Sequence, residues 1–384
     1  MHKENVVAMT PPDRTESAYT KAGVDYDVLD EGKRQALRAA SATSHLLADR
    51  GGEAVDASRG EPAFVFRHGE TTYASVLEGL GTKSVIARLV QEESGLNLFD
   101  NVAYDTVAAI VNDLCCVGAT PLVIHAYFAT GSADWYAQAG RQEALVKGWR
   151  QACEDAGAAW GGGESPSLPG LVNAADIELA GSAVGVVHSA EPILGQSLGD
   201  GDEIVFVEST GLHANGSSLA RLVAKQLGDS PYSTPLASGR SFGEALLDHA
   251  PMYAPLVRRL IENDLPLHYL SHITGHGMLK LMRPNKAFTY EITRLPEVPE
   301  ILQFLVDRAD MPAAAAYATF NMGCGFAIYC AAGSGDEVVA IATEMGLGAH
   351  VAGRLKSGPR RVELTEIGVV YETGAMDLTP RRAA

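Results

Sequence analysis

A chain of 384 residues, 46% hydrophobic and 20% charged, is long enough to bury a sizeable core and exceeds what one compact domain usually occupies, so two domains are expected. Its formal net charge of −17 argues against a general nucleic-acid or anionic-membrane partner, because both reward a positive field. Five cysteines (Cys115, Cys116, Cys153, Cys324 and Cys330) form no C-x-x-C pair and sit mostly among apolar residues, which fits buried thiols in a reducing cytoplasm. The first eighteen residues are polar, carry a Pro-Pro and lack the apolar centre of a secretory signal. Asp113 and Gly118 interrupt the best apolar run, so no membrane span is expected.

Taken in order, Phe64 to Leu77 alternates and then turns apolar, which reads as strands leading into a glycine turn. Val102 to Cys116 has apolar residues at helical spacing, Leu122 to Ala129 is a strand, and Trp135 to Ala156 reads as one amphipathic helix ending at Gly157. Gly161-Gly162-Gly163-Glu164 and Pro169-Gly170 read as turns, Ile177 to Val187 as a buried strand, and Gly195 to Asp202 as a domain connection. The second half starts again with a strand at Glu203 to Glu208 and a helix over Ser217 to Leu227. Further helices are expected at Tyr253 to Asn263, Glu300 to Ala309 and Glu337 to Met345, with strands at His268 to Ile273, Gly325 to Ala332, Ala349 to Arg354 and Arg361 to Leu364. Both halves therefore read as α/β or α+β layers, without a short internal repeat.

The chemistry concentrates in Glu78-Gly79-Leu80-Gly81-Thr82-Lys83, followed by Asp105 and by Asn112-Asp113. Glycines let backbone N–H groups approach phosphate oxygens, carboxylates hold a hard cation through oxygen, and a lysine neutralises phosphate as a point charge. Alone, such a glycine turn is more often a tight loop, Thr82 a helix cap and each carboxylate a solvated side chain. His213 and Asn215 stand before a helix whose N-terminus can bind an anion, which makes them candidate ligands, although a lone His-x-Asn-Gly is more often a helix entry than a site. Thr274, Gly275 and Gly277 suggest a second backbone nest for phosphate.

Read in order, these motifs resemble the aminoimidazole ribonucleotide (AIR) synthetase family, the phosphoribosylformylglycinamidine cyclo-ligases of purine biosynthesis. The stretches that carry the resemblance are 19–25, Glu78 to Lys83, Val111 to Leu114 with Gly118-Ala119, Tyr127 to Gly131, Gly162 to Ser165 and Leu168-Pro169-Gly170. They continue with Gly211 to Gly216, His272 to Gly277 and Thr319 to Gly325, so the likeness spans roughly residues 19 to 366. It implies two domains, over 19–190 for ATP binding and dimerisation and over 191–370 for the C-terminal unit, flanked by polar tails at 1–18 and 371–384. It also implies that the first domain's sheet pairs across a homodimer. The expected ATP ligands are Lys21, Gly79, Gly81, Thr82, Lys83, Asp105, Asn112 and Glu164, and the expected magnesium ligands are Glu78, Asp105 and Asp113, with potassium as a further ion. Catalysis is assigned to His213 and Lys83, and a phosphoribosyl substrate to His213, Asn215, Thr274, Gly275, His276 and Gly277.

The sequence also departs from the family pattern. Glu78 replaces an aspartate, His276 a glycine and Ala126 an aspartate; Ala57 to Pro62 replaces a glycine-rich segment, and Thr20 separates Tyr19 from Lys21. Two other functions stay compatible with these residues. One is a superfamily paralogue that phosphorylates a different small molecule; the other is a nucleotide-binding subunit without catalysis.

Overall fold

The computed structural model describes residues 26–373, apart from Ala139 and Ala190; Lys21 and the 19–25 motif lie outside the described residues. A helix, α1 (Tyr26–Ser41), precedes a six-stranded sheet. Its order is β1 (Gly52–Ala54), β2 (Phe64–His68), β3 (Thr71–Gly79), β6 (Ile177–Val187), β4 (Ala119–Thr130), β5 (Ala159–Glu164). All neighbours are antiparallel except β4 and β5.

Strict alternation along β6 buries Ile177, Leu179, Ala183 and Val187 on one face. That face receives α3 (Phe99–Cys115), the helix after α2 (Lys83–Ser94), and α3 approaches closely because β6 has glycines under it. A Cβ on Gly181 would lie 2.8 Å from Ile110, and one on Gly185 2.9 Å from Leu114. Helix α4 (Arg141–Ala156) packs on α3 through Gly148, where a Cβ would sit 2.0 Å from the Asp100 carbonyl oxygen. The opposite sheet face carries Phe64, Phe66, Tyr73 and Leu77, and Leu77 is 75% exposed.

The second sheet has seven strands, in the order β13 (Val369–Glu372), β12 (Arg361–Leu364), β9 (Phe288–Ile292), β11 (Ala349–Ser357), β7 (Glu203–Glu208), β10 (Cys324–Cys330), β8 (Leu267–His272). Only β9 and β12 run parallel. The apolar run Ile204-Val205-Phe206-Val207 and the whole of β10 are buried, as expected of strands covered on both faces. Around this sheet lie α5 (Ser217–Ala224), α6 (Ala254–Glu262), α7 (Glu300–Arg308) and α8 (Gly335–Glu344). All five cysteines are buried free thiols.

Several elements differ from the sequence reading. The expected helix over Trp135 to Ala156 is two pieces, Asp134–Ala137 and α4, because Gly140 adopts φ 74° between them while Trp135 packs edge-on against Phe99 at 5.1 Å. Gly161 to Glu164 is an edge strand rather than a turn: a Cβ on Gly163 would lie 2.0 Å from the Ala126 carbonyl oxygen, so the glycines permit close strand packing. Helix α1 and the short strands β1, β9 and β13 had no reading in the sequence.

Candidate active site

The glycine turn leaves β3 at Gly79, passes through Gly81 at φ 75° and enters α2 after Thr82. Beside it lies a pocket of about 370 Å³ with Thr82, Val85, Tyr127, Leu171, Ile177 and Glu178 among its lining residues. Its walls are mostly apolar while the turn at its mouth offers backbone, a composition suited to a flat heterocycle with a phosphate tail. Burial raises the Glu178 carboxyl above its ordinary range. Glu164, on the exposed edge strand, is not among the residues that line this pocket.

Lys83, Asp105 and Asn112 are all engaged within the protein. The Lys83 ammonium is fully buried in an ion pair with Asp105 and donates to the Asp248 carbonyl at 3.1 Å. Asp105 Oδ1 accepts the Ala250 N–H at 2.6 Å. Asn112 donates to the Pro251 carbonyl at 3.0 Å and accepts the Tyr253 N–H at 2.8 Å, while Asn101 donates to the Leu247 carbonyl at 2.9 Å. One helix thus stitches the 247–253 segment of the second half to the first. Asp105 has both oxygens engaged and is 1% exposed, so it does not join Glu78 and Asp113. Among the described residues no three His, Cys, Asp or Glu side chains converge as a metal cage.

Glu78 and Asp113 do meet. They project toward the second half, and Asp113 Oδ1 accepts from His272 Nδ1 at 2.7 Å. Burial, followed by the adjacent Asp113 charge, pushes the Glu78 carboxyl up to about 7. Burial also acts to raise Asp113, but the His272 hydrogen bond and the Lys280 and Arg283 charges outweigh it and hold Asp113 below its ordinary value. The two neighbouring carboxyls are thus driven apart, Glu78 upward and Asp113 downward. This donor set fits magnesium, which takes one or two carboxylates and completes its shell with phosphate oxygens and water.

A second set of groups faces the glycine turn from the other half. The turn 211–216 brings His213, at φ 57°, and half-buried Asn215 to the start of α5. Gly216 is required at φ 104°, since a Cβ there would meet Leu212 and Phe320 at 2.6 Å. His213 Nε2 accepts the Thr210 N–H at 3.2 Å, which places the proton of a neutral ring on Nδ1. Burial, then the charges of Lys83, His272 and His249, hold this imidazole well below its ordinary value, so it stays neutral. Its Nδ1 is buried without a partner, and so is Ser217 Oγ at the first residue of α5. Ser218 Oγ lies 3.4 Å from Thr82 Oγ1, which fixes the N-terminus of α5 against the glycine turn.

The 274–277 segment forms a tight turn, with the Gly277 N–H donating to the Thr274 carbonyl at 3.0 Å. Gly277, at φ 49°, packs under Tyr317, whose carbonyl oxygen would lie 2.2 Å from a Cβ. Gly275 is buried, and His276 sits at φ 71° in the left-handed region that a glycine would adopt freely. Lys280 donates to Thr274 Oγ1 and, at 3.2 Å, to the His272 carbonyl. The sequence reading missed Ser217, His272, Lys280 and Arg283. Its one available signal was the pair of cations inside the apolar run Met278-Leu279-Lys280-Leu281-Met282-Arg283.

Two mixed α/β units, with unpartnered buried side-chain atoms at His213 and Ser217 in the second and the neighbouring carboxyls Glu78 and Asp113 in the first, define the class of protein by its two-sheet fold. Residues 60–187 match the model for the AIR synthase related protein N-terminal domain, and residues 199–365 match that for the C-terminal domain. A phosphoribosylformylglycinamidine cyclo-ligase of Methanothermobacter thermautotrophicus is 33% identical over 347 residues, covering 90% of this chain and 96% of the relative. One from Carboxydothermus hydrogenoformans is 33% identical over 303 residues, covering 78% and 85%. Among solved structures, a thiamine-monophosphate kinase from Stenotrophomonas maltophilia matches with a TM-score of 0.54 at 20% identity, covering 77% of this chain and 88% of that one. A HypE–HypF complex matches at 0.56 and 14%, covering 82% and 92%, and both likenesses speak for the fold alone. The chain belongs to the AIR synthetase family.

Proposed function

We propose that this chain closes formylglycinamidine ribonucleotide to aminoimidazole ribonucleotide at the expense of ATP, releasing ADP and phosphate. The observation that carries this reading is the pair of buried, unpartnered donors, His213 Nδ1 and Ser217 Oγ, at an α-helix N-terminus opposite the Gly81-Thr82 turn. Buried donors without partners cost stability, about 1–3 kcal/mol each, and a ligand oxygen repays that cost.

In this reading the pocket beside Gly81 takes the adenosine, and the backbone of Gly79 to Thr82 receives the phosphates. Glu78 and Asp113 would hold magnesium, which neutralises phosphate charge when bound. The amide oxygen of the substrate becomes a leaving group once phosphorylated, and the amidine nitrogen of the same molecule then attacks the activated carbon. His213 donates from Nδ1 to an oxygen that gains negative charge, and the walls of the cleft exclude water from the activated ester. Holding the chain of the substrate in a folded conformation supplies the effective molarity of an intramolecular reaction. Thr274 to Gly277 would receive the ribose phosphate.

The open sheet face supports a homodimer. Phe64, Phe66, Tyr73 and Leu77 lie together there, with Phe66 stacked on Tyr73 at 5.5 Å. An exposed patch of this kind marks an association surface. Light scattering on the purified chain is expected to give twice the monomer mass, and a monomer would remove the pairing.

Turnover is tested by following ADP and aminoimidazole ribonucleotide together, with magnesium ATP, potassium and formylglycinamidine ribonucleotide. Equal amounts of both products are expected. ADP without the imidazole would overturn the cyclisation in favour of a kinase-like reaction, and neither product would leave only a binding subunit.

A further inference from the structure

Residues 319–325 lead into β10 and lie against the 209–216 turn at several points. Asn321 is 4% exposed, and its partners orient its amide. Oδ1 accepts the Ser209 hydroxyl at 2.7 Å and the Gly323 N–H at 3.0 Å, while Nδ2 donates to the Gly211 carbonyl at 2.8 Å. The Ser209 N–H donates to the Gly323 carbonyl at 2.9 Å, and the Asn321 carbonyl accepts the Cys324 N–H at 2.9 Å. Met322 and Gly323, at φ 46° and 96°, close that turn, and residue 323 has to be glycine because a Cβ there would lie 2.4 Å from the Glu297 carbonyl oxygen.

Asn321 therefore holds Ser209 and Gly211, the two neighbours of Thr210. The Thr210 N–H meets His213 Nε2 at 3.2 Å, and that bond decides where the proton of the neutral ring sits. The Thr210 hydroxyl donates to the His249 carbonyl at 2.7 Å, which anchors the same residue a second time. The imidazole itself lies beside Gly325, where a Cβ would come within 3.1 Å of His213 Cε1 and 1.8 Å of the Tyr253 hydroxyl. Phe320 packs on Gly216, 2.6 Å from the place of a Cβ. One short stretch thus sets the backbone before the histidine, the room for its ring and the exit into α5.

We propose that Asn321 is the positioning residue for His213: by gripping the backbone on both sides of Thr210 it aims the Thr210 N–H at Nε2 and so keeps the proton on Nδ1. This role rests on the reading of His213 as the donor to an oxygen that gains negative charge. Without the Thr210 bond both tautomers are open to the ring, and the form with its proton on Nε2 presents a lone pair where the donor is needed. A carboxylate at position 321 keeps the shape and the acceptor, but it turns the donor toward Gly211 into a second acceptor. Two oxygens then repel across that contact, and the 209–211 turn loses its hold.

The test uses the full chain with isotopically labelled histidine nitrogens, whose magnetic resonance signals report the tautomer in the resting protein. His213→Asn identifies the His213 signals by their loss. The parent is expected to show a protonated Nδ1 and an unprotonated Nε2. In Asn321→Asp those signals move toward a mixture of tautomers. Its kcat falls roughly 10- to 100-fold, the loss typical when the group that orients a histidine ring is removed, with the KM of ATP and of the phosphoribosyl substrate within about threefold. In the His213→Asn background the same substitution costs less than about threefold more, because it acts through a ring already gone. A folded Asn321→Asp that retains the parental tautomer overturns the positioning role, and so does a loss that multiplies in full with that of His213→Asn. Should Asn321→Asp fail to fold, Ser209→Ala removes only the hydroxyl contact; a tautomer shift in the same direction is expected, and parental signals there overturn the grip. A parent that forms no imidazole, but whose tautomer follows Asn321, sinks the cyclo-ligase reading and keeps the positioning role. A working cyclo-ligase whose tautomer ignores Asn321 does the reverse.

Discussion

His213→Asn is expected to lower kcat by roughly 10²- to 10³-fold, the cost of removing one preorganised donor from a developing oxyanion. The choice of asparagine matters because His213 sits at φ 57°, where asparagine is tolerated and most other side chains are strained. The amide is shorter than the imidazole, so it keeps the backbone turn and withdraws the donor that Nδ1 presents. Since His213 is neutral and its Nε2 is already occupied by the Thr210 N–H, it donates rather than abstracts. The KM of ATP should therefore change little. A turnover within about threefold of the parent would remove His213 from the chemistry. Stability gives an independent reading. The folded-state value of His213 is depressed, so on acidification through about 6.5 the unfolded chain takes up a proton that the folded chain refuses. Folding stability falls in that window, and His213→Asn should make the acid side of the denaturation-midpoint curve shallower.

Much of this was legible in the sequence because the relevant signals are local. The run of apolar and small residues made Ile177 to Val187 a buried strand, the apolar run made Glu203 to Glu208 another, and the glycines of 79–81 marked the turn that the structure places before α2. Glu78, Asp113, His213 and the 274–277 turn were reached through motif order, and the fold ties the first pair to the second half through the Asp113–His272 bond. What stayed hidden depends on which partner a polar side chain finds. Asp105 and Asn112 on an apolar helix face showed only that each needed a partner, and each bonds to the backbone of 247–253, about 140 residues away in sequence. Lys280 and Arg283 were hidden for the converse reason. They alternate with Met and Leu in a short run whose burial is decided by the packing of 317–320 beneath Gly277. Glu164 was misplaced because three glycines in a row are the mark of a turn unless another strand needs the room, as Ala126 does here.

The clamp on α3 supplies the second large effect. Asp105→Ala should destabilise the chain by about 3–5 kcal/mol, because it leaves the fully buried Lys83 ammonium unpaired and also strands the Ala250 N–H. Urea denaturation, followed by tryptophan fluorescence and by circular dichroism, reads this as a lower midpoint. The reason lies in the asymmetry of buried pairs: the attraction between the two charges roughly repays their joint desolvation, whereas a lone buried charge has nothing to repay it. The double variant Lys83→Met with Asp105→Leu removes both charges and keeps the volume, so it should recover much of the loss. A merely additive double variant would contradict the pairing. The same experiment decides between the two tasks weighed for Asp105. A ligand of magnesium lost by mutation would abolish turnover while leaving the midpoint within about 1 kcal/mol of the parent, since an exposed carboxylate contributes little to folding. With both oxygens engaged inside the protein, the expected result is the reverse: a large loss of stability, and activity that falls because segment 247–253 no longer holds the second half against the cleft.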